Sequence, residues 1–238
     1  MRRSVPSRAP SRQAAIPLPG WLQARLLLVT PELLVLDKPA GLPIAARTGE
    51  DLARHLPALR MGRKRDPQPA HRLDTDTAGV LVLGRTAPML AALNKCFAER
   101  HVEKLYWAVV RGTPPGEAGV IEAPLWKVST RAAGWRMVVD AKGDAARTHW
   151  RVLGRGAGLA WLELRPETGR THQLRVHCAH LGCPIMGDAM YGGGEVRGDG
   201  KIGGLHLLAR SLTLPLDPPL YLEAPVPPHM QAALAGCR

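Results

Sequence analysis

The stretch HRLDTDTAGVLVLG, residues 71–84, places four ionisable side chains directly before an apolar run. The run VLVL has the composition of a buried strand, and we predict a strand over residues 79–85. Charged groups rarely lie against a core unless they are paired or functional, because burying an unpaired charge costs several kcal/mol. At least one carboxylate of this segment, Asp74 or Asp76, is therefore expected to have a function.

Short apolar segments bounded by turn residues follow one another along most of the chain. Two segments have helical spacing instead: residues 87–100, for which Thr86 is the predicted N-cap, and the end of residues 168–182, where Gly182 ends the helix. Many strands with two helices, and no regular βαβ alternation, predict an α+β fold with a large mixed, mostly antiparallel sheet. Residues after the final predicted strand, 205–215, are interpreted as a proline-rich tail.

The composition favours a nucleic-acid partner. Lys and Arg number 32 against 20 Asp and Glu, a formal net charge of +12, and such an excess attracts polyanions. The four cysteines form no CxxC pair, which is typical of reduced thiols in a cytosol and predicts a cytoplasmic protein. No stretch approaches the roughly 20 apolar residues that span a bilayer, so no membrane partner is expected.

Two metal-site interpretations can be weighed from the residues. Asp74-Thr75-Asp76 could hold Mg²⁺ beside a nucleotide sugar, but this spacing is common by chance and no glycine-rich phosphate loop accompanies it. His172, His177, Cys178, His180 and Cys183 could form a zinc cluster. On a helix, however, Cys178 would share an apolar face with Leu174 and Leu181, which favours a structural or RNA-contacting role for this group.

A third interpretation joins Asp74 to an arginine. A carboxylate that reacts must stay ionised and be oriented, and a partnered arginine can do both. Arg175 would lie at the flank of the predicted helix, where it could reach the sheet. Residues 168–171 would open that helix and present N–H groups and Arg170 to a phosphate. The alternative is a structural Asp–Arg pair with surface arginines.

Four segments resemble, in order, the motifs of the RluA-like RNA pseudouridine synthases. They are ELLVLDKPAGLPI (32–44), HRLDTDTAGVLVL (71–83), EKLYWAVVRG (103–112), and TGRTHQLRVHCAHLGCPIMGDAMYGG (168–193) followed by GLHLLA (204–209). The resemblance implies a pseudouridine synthase-like fold with a central RNA-binding cleft. It also implies an isomerase that converts specific uridines of ribosomal RNA, transfer RNA or both to pseudouridine.

The resemblance assigns a role to each matching residue. Asp74 is the essential aspartate; it would attack the sugar, attack the base, or remove a sugar proton, and the sequence leaves these three open. Arg175 would pair with Asp74, and Tyr106 would stack on the base and mediate proton transfer. Arg72 would fill the space left by the flipped uridine. RNA contacts are expected from His71, Arg170 and His172, and base-pocket contacts from Leu174 and Leu205.

The resemblance also implies what is absent. Isomerisation needs no cofactor and no metal, and a monomer is expected, with RNA as the partner. We expect residues 1–20 to form a basic disordered arm and residues 21–238 to form a single catalytic domain, without a separate N-terminal RNA-binding module. The family usually has Thr-Ser-Gly where this chain has Thr77-Ala78-Gly79. An inactive RNA-binding protein or RNA chaperone on the same fold is the main alternative, and a metal-dependent sugar transferase is a remote one.

Overall fold

The structure is a computed structural model, and it describes residues 16–131, 134–192 and 204–237. Over these ranges the α-helices are α1 (Gly20–Gln23), α2 (Ala87–Ala98), α3 (Gln173–His180) and α4 (Pro228–Ala235). Short 3-10 helices span Ala53–His55 and Ala58–Arg60. The strands are β1 (Leu26–Val29), β2 (Leu33–Lys38), β3 (Gln68–Pro69), β4 (Ala78–Gly84), β5 (Glu103–Arg111), β6 (Ala118–Glu122), β7 (Leu125–Thr130), β8 (Gly134–Val139), β9 (Arg147–Gly156), β10 (Leu159–Pro166), β11 (Leu207–Leu214) and β12 (Leu220–Glu223).

One ten-stranded sheet organises the chain, in the order β1-β2-β4-β11-β5-β10-β9-β6, with β3 paired to β4 and β12 paired to β11. β4 and β11 are parallel, and the other described pairs of this sheet are antiparallel. Strands β7 and β8 form a separate hairpin. The predicted α+β class with a large, mostly antiparallel mixed sheet is confirmed.

Strand β4 is buried on both faces, which explains its unbroken apolar run. Val80 and Val82 pack into one core cluster with Leu93 of α2. Leu81 and Leu83 face the opposite way and pack into a second cluster. Alternating side chains of one strand thus stabilise two layers, and each buried aliphatic side chain contributes about 2 kcal/mol.

The start of β4 lies unusually close to β11. Gly79 has φ +116°, and a Cβ there would stand 2.2 Å from the carbonyl oxygen of Ala209. Glycine is therefore required where the two parallel strands first meet. Ala78 is 1% exposed in the core. The position just before Gly79 is therefore apolar and close-packed.

Two clusters meet on the face of the sheet opposite α2 and α4. One cluster, packed against β2 and β4, includes Leu81 and Ala209. The other, packed against β5 and β10, includes Leu207 and Leu174 of α3. Tyr106 packs against both. The boundary between these clusters, at the middle of the sheet, is where the cleft described below opens.

Several predicted boundaries need correction. The proline-rich tail after residue 215 contains β12 and α4, because Met230 and Leu234 are buried in the core. Residues 1–15 of the predicted arm lie outside the described residues, while Leu18 packs against a core cluster and so does not belong to an unpacked arm. The strand predicted over 79–85, the Thr86 cap and the helix after it are confirmed, the helix ending at Ala98. In the ranges that the structure describes, no helix is both long and apolar enough to cross a membrane.

The packing of α4 leads to a stability prediction. Met230 is 0% exposed in the core, so Met230→Ala should lower the free energy of unfolding by about 3 kcal/mol through lost contacts and a residual cavity. Urea unfolding followed by circular dichroism measures the change. Gln231→Ala, at an exposed neighbouring position, is the control and should change the free energy by less than about 0.5 kcal/mol. Equal, small effects of both changes would show that the C-terminal segment does not belong to the core.

Candidate active site

Two adjoining cavities form a cleft at the boundary of the two clusters. The inner pocket, of about 110 Å³, is lined by Tyr106, Leu174 and Leu207 among others. The outer cleft, of about 750 Å³, includes Leu205 and Trp135. Five residues border both cavities: Arg72, Leu73, Asp74, His172 and Arg175. The structure therefore gathers residues from distant motifs of the sequence around Asp74.

Asp74 lies in a tight turn that enters β4. The turn is closed by a hydrogen bond from the Thr77 N–H to the Asp74 carbonyl oxygen at 3.2 Å. The Thr75 carbonyl accepts two further bonds, from the Gly41 N–H at 2.9 Å and from Lys38 Nζ at 2.8 Å. The Asp74 side chain is 28% exposed. The backbone is thus fixed, while the carboxylate faces the cleft.

Lys38 anchors this turn from inside the protein. It is 1% exposed, and its ammonium donates to the carbonyl oxygens of Pro39, Leu42 and Thr75. Burial lowers its pKa to about 8, against the opposing effect of Asp76 and Asp74. The sequence indicated only a turn at KPAG. The position of Lys38 at the end of the apolar strand LLVLDK was the available signal that this charge is buried and hydrogen-bonded.

Arg175 is held mainly by Asp188, a residue that the sequence analysis missed. Nε and Nη2 of Arg175 donate to the two carboxylate oxygens of Asp188, each at 2.8 Å. The Asp74 carboxylate lies 4.0 Å from Nη1. The expected Asp74–Arg175 pair is thus present only at the limit of an ion pair. The expected pairing partner Asp74 therefore makes the longer contact, and Asp188 makes the hydrogen bonds that hold the guanidinium.

Asp188 is an unusually well-satisfied buried carboxylate. Its side chain is 0% exposed, and Oδ1 also accepts the backbone N–H groups of Met190 and Tyr191. Burial would raise the pKa of Asp188, but the bonds from Arg175 and from these two N–H groups outweigh it and lower the pKa. Burial by itself would lower the pKa of Arg175, and Asp188 and Asp74 raise it. Both groups therefore stay charged at neutral pH.

The phenol of Tyr106 projects into the inner pocket from β5. Burial raises its pKa, and the negative charge of Asp74 raises it further. The hydroxyl therefore remains protonated at neutral pH, and the ring offers an aromatic face beside the carboxylate. This placement fits the expected stacking against a base.

His172 borders both cavities and is held by aromatic neighbours. Its Nδ1 lies 2.9 Å from the Tyr191 hydroxyl, which accepts the N–H of Met137. Its ring stacks on Trp135 with centroids 5.1 Å apart. Burial lowers the pKa of His172, although Asp74 opposes the shift. A largely neutral imidazole at this position suits contact with a base or ribose better than a charge pair with phosphate.

The loop before α3 is ordered by Gln173. Its Oε1 accepts from the Thr168 hydroxyl and the Arg170 N–H, and its Nε2 donates to the Arg147 carbonyl and the Thr148 hydroxyl. The helix begins at Gln173, later than the predicted opening at residues 168–171. The Arg170 N–H is therefore not free for a phosphate. The Arg170 guanidinium borders the inner pocket and pairs with Asp144 at 3.4 Å.

His71 contacts the backbone of β4 and the ring of Phe97. Its Nε2 accepts the N–H of Val82 at 3.0 Å, and its ring stacks on Phe97. Burial lowers its pKa to about 4, so it stays neutral. A neutral ring that bonds the backbone of β4 and stacks on Phe97 supports the fold, and contact of His71 with RNA stays a prediction.

The zinc and Mg²⁺ interpretations find no support in the geometry. His177 is 0% exposed and uses both ring nitrogens, toward the Thr148 hydroxyl and the Ala123 carbonyl. Cys178 packs in the core with Leu174, as the helical spacing indicated. Among the residues that the structure describes, no group of three or more His, Cys, Asp or Glu side chains is arranged to hold a metal ion.

The remaining predicted residues all border the cleft. Leu174 lines the inner pocket and Leu205 lines the outer cleft. Arg72 is exposed at the junction of the two cavities. Leu207, which the sequence analysis did not single out, also lines the inner pocket; the apolar alternation of its strand was the available signal.

The fold is shared with pseudouridine synthase domains. The structure superposes on human RNA pseudouridylate synthase domain containing 4 with a TM-score of 0.77 at 30% identity, covering 90% of this chain and 93% of that one. A family described as RNA pseudouridylate synthase matches residues 32–180.

Curated relatives agree with this class. An RNA pseudouridine synthase of Zymomonas mobilis is 44% identical over 87% of this chain and 95% of its own length. Ribosomal large subunit pseudouridine synthase D of Xanthomonas campestris is 35% identical over 92% of this chain and 71% of its own length. The chain therefore belongs to the RNA pseudouridylate synthase family, among Rlu-type relatives, and is an isomerase.

The Arg175–Asp188 pair leads to a prediction about stability and pH. Asp188→Asn would leave the buried guanidinium without its main counter-charge, and we expect a loss of about 3 kcal/mol in unfolding free energy at pH 7. Because folding lowers the pKa of Asp188, this stabilisation is present above the unfolded-state pKa of about 4 and is lost as pH falls through the lower folded value. The difference between wild type and variant should therefore shrink toward pH 3.

Urea unfolding at pH 7 and pH 3 measures both effects. Asp144→Asn, which removes an exposed carboxylate with a single longer pair to Arg170, is the matched control and should cost less than about 1 kcal/mol. An Asp188→Asn protein as stable at pH 7 as the control would contradict the assignment of Asp188 as the main partner of Arg175.

Proposed function

We propose that this protein isomerises specific uridines of ribosomal or transfer RNA to pseudouridine, with Asp74 as the essential carboxylate. The observation that carries the proposal is the inner pocket itself. It presents a partly exposed Asp74 carboxylate, the ring of protonated Tyr106 and the fixed cation of Arg175 within one cavity.

The reaction moves atoms within one nucleotide. The bond from ribose C1′ to uracil N1 breaks, the base turns, and a bond from C1′ to C5 forms; the C5 proton is lost and N1 gains one. The balance needs no oxidant, reductant or group donor, so we propose that the protein works without a cofactor or a metal. Asp74 acts on the sugar or on the base in the step that detaches uracil.

The surrounding residues suit a detached base. Tyr106 offers its ring for stacking, while Leu174 and Leu207 exclude water beside it. Arg175 supplies a positive charge that does not depend on Asp74 for its position, because Asp188 holds it. Negative charge that develops near Asp74 is therefore met by a preorganised cation.

Entry of the uridine into this pocket requires base flipping. Arg72 is exposed where the inner pocket and the outer cleft join, and we propose that it occupies the space that the base leaves. His172, and Arg170 through its side chain, are proposed to contact the flanking nucleotides from the same rim, with Leu205 beside the base in the outer cleft.

Large-subunit ribosomal RNA is the first substrate to test, because two relatives are named ribosomal large subunit pseudouridine synthases D and C. Transfer RNA is the second. We propose that residues 21–238 work as one catalytic domain and that the protein acts as a monomer in the cytoplasm.

Tritium release tests the proposal. RNA transcribed with uracil tritiated at C5 is incubated with the protein, with and without EDTA. Wild type should release tritium equally in both, and Asp74→Asn should release it at least about 10³-fold more slowly. Asp76→Asn removes an exposed carboxylate two residues away, and as the matched control it should keep activity within about threefold of wild type.

Each other outcome has a defined meaning. An equally active Asp74→Asn protein would refute the assignment of the essential carboxylate. Binding of RNA without tritium release from ribosomal or transfer RNA would identify an inactive RNA-binding protein or chaperone. Release that requires added metal would contradict the cofactor-free reaction.

A further inference from the structure

A second groove opens from the inner pocket on the side away from the outer cleft. It has a volume of about 420 Å³ and shares Lys104 and Pro166 with the inner pocket. Its other charged or polar lining residues are Arg100, Glu103, His149, Arg165 and Glu167. We call it the Lys104 groove. None of the roles discussed so far involves these residues.

Lys104 is a partly buried ammonium without a partner. Within the part of the chain that the structure describes, the Lys104 side chain makes no hydrogen bond and no ion pair. Burial lowers its pKa, and the neighbouring charge of Arg100 lowers it further. Desolvating a cation beside another cation is unfavourable, so the folded protein keeps this arrangement at a cost.

The acids of the groove do not offset this charge. Glu167 is engaged by His149 at 2.5 Å and by Arg147 at 3.6 Å. Glu103 is exposed and makes no described ion pair. Arg165, in turn, is paired with Glu163 at 3.0 Å. Glu167 also interacts electrostatically with Arg100. Lys104 is thus the cation of the described groove that no acid offsets, with Arg100 as its cationic neighbour.

The position of Lys104 relates the groove to the base pocket. Lys104 and Tyr106 are two residues apart on β5, so both side chains leave the same face of the sheet about 7 Å apart. Both line the inner pocket. A nucleotide whose base stacks on Tyr106 must carry its ribose and adjoining phosphates past this part of the strand.

We propose that Lys104 and Arg100 form a binding site for a backbone phosphate of the RNA next to the target uridine. The phosphate supplies the counter-charge that the folded protein lacks here, through charge-assisted hydrogen bonds from both cations. The inference rests on the proposed function for the identity of that nucleotide, and on the geometry of the groove for the phosphate itself.

Binding of a fluorescein-labelled RNA stem-loop with a uridine-containing loop tests the site across a range of salt concentrations. Lys104→Gln should weaken binding about tenfold at 150 mM salt and reduce the slope of log K against log salt by about one, as expected for one lost phosphate contact. Lys104→Arg should restore the slope. Lys95→Gln removes the same charge from the exposed face of α2 and should change the affinity less than about twofold.

Tritium release under multiple-turnover conditions gives the second readout. The effect of Lys104→Gln should fall on KM by about tenfold and on kcat by less than about threefold, because a phosphate contact acts in binding. If Lys104→Gln does not fold, both measurements are made on Arg100→Gln, which changes an exposed position. A wild-type salt slope in either folded variant, or a loss confined to kcat, would overturn the phosphate site.

The same data separate this site from the proposed function. If the Lys104 and Arg100 substitutions lower the salt slope while the wild-type protein releases no tritium, the phosphate site is upheld and the isomerase assignment is refuted. An active wild type whose salt slope is unchanged by both substitutions would refute the phosphate site and leave the isomerase assignment in place.

Discussion

The bidentate bond between Arg175 and Asp188 is the interaction on which the site depends. It joins α3 to the loop after residue 186 and orients the guanidinium beside Asp74. A buried ion pair seldom adds net stability over apolar packing, since both charges lose their hydration. What this pair provides is a cation whose position is already set when substrate arrives, which leaves Asp74 free to turn toward the nucleotide.

The sheet determines why residues so far apart in sequence meet. Asp74 lies in the turn that precedes β4, and Tyr106 lies on β5. Strand β11 runs between these two strands. The close approach of β4 and β11 at Gly79 brings the carboxylate to mid-sheet, where two apolar clusters meet and leave the cleft open. The buried Lys38 ammonium stabilises the turn that holds Asp74 by donating to the Thr75 carbonyl oxygen. Backbone packing thus sets the position of Asp74, and buried charges set its surroundings.

The sequence predicted the strand over 79–85 and the Thr86 cap because local patterns specify both. The charge pattern already suggested Asp74 with Arg175, and the resemblance added Tyr106; the fold brings all three into one pocket. Asp188 was missed because a pair across a loop leaves no periodic signal. A basic neighbourhood in sequence did not reveal that the ring of His71 stacks on Phe97. The tail was misjudged because prolines obscured the apolar spacing of α4.

The most direct test of the central claim is a map of pseudouridines in cellular RNA. Carbodiimide modification and primer extension are applied to ribosomal and transfer RNA from cells with the gene, without it, and with the Asp74→Asn variant in its place. We expect at least one carbodiimide-dependent stop to disappear on deletion, to return with wild type, and to stay absent with Asp74→Asn. An identical map in all strains would contradict a role for this protein in pseudouridine formation.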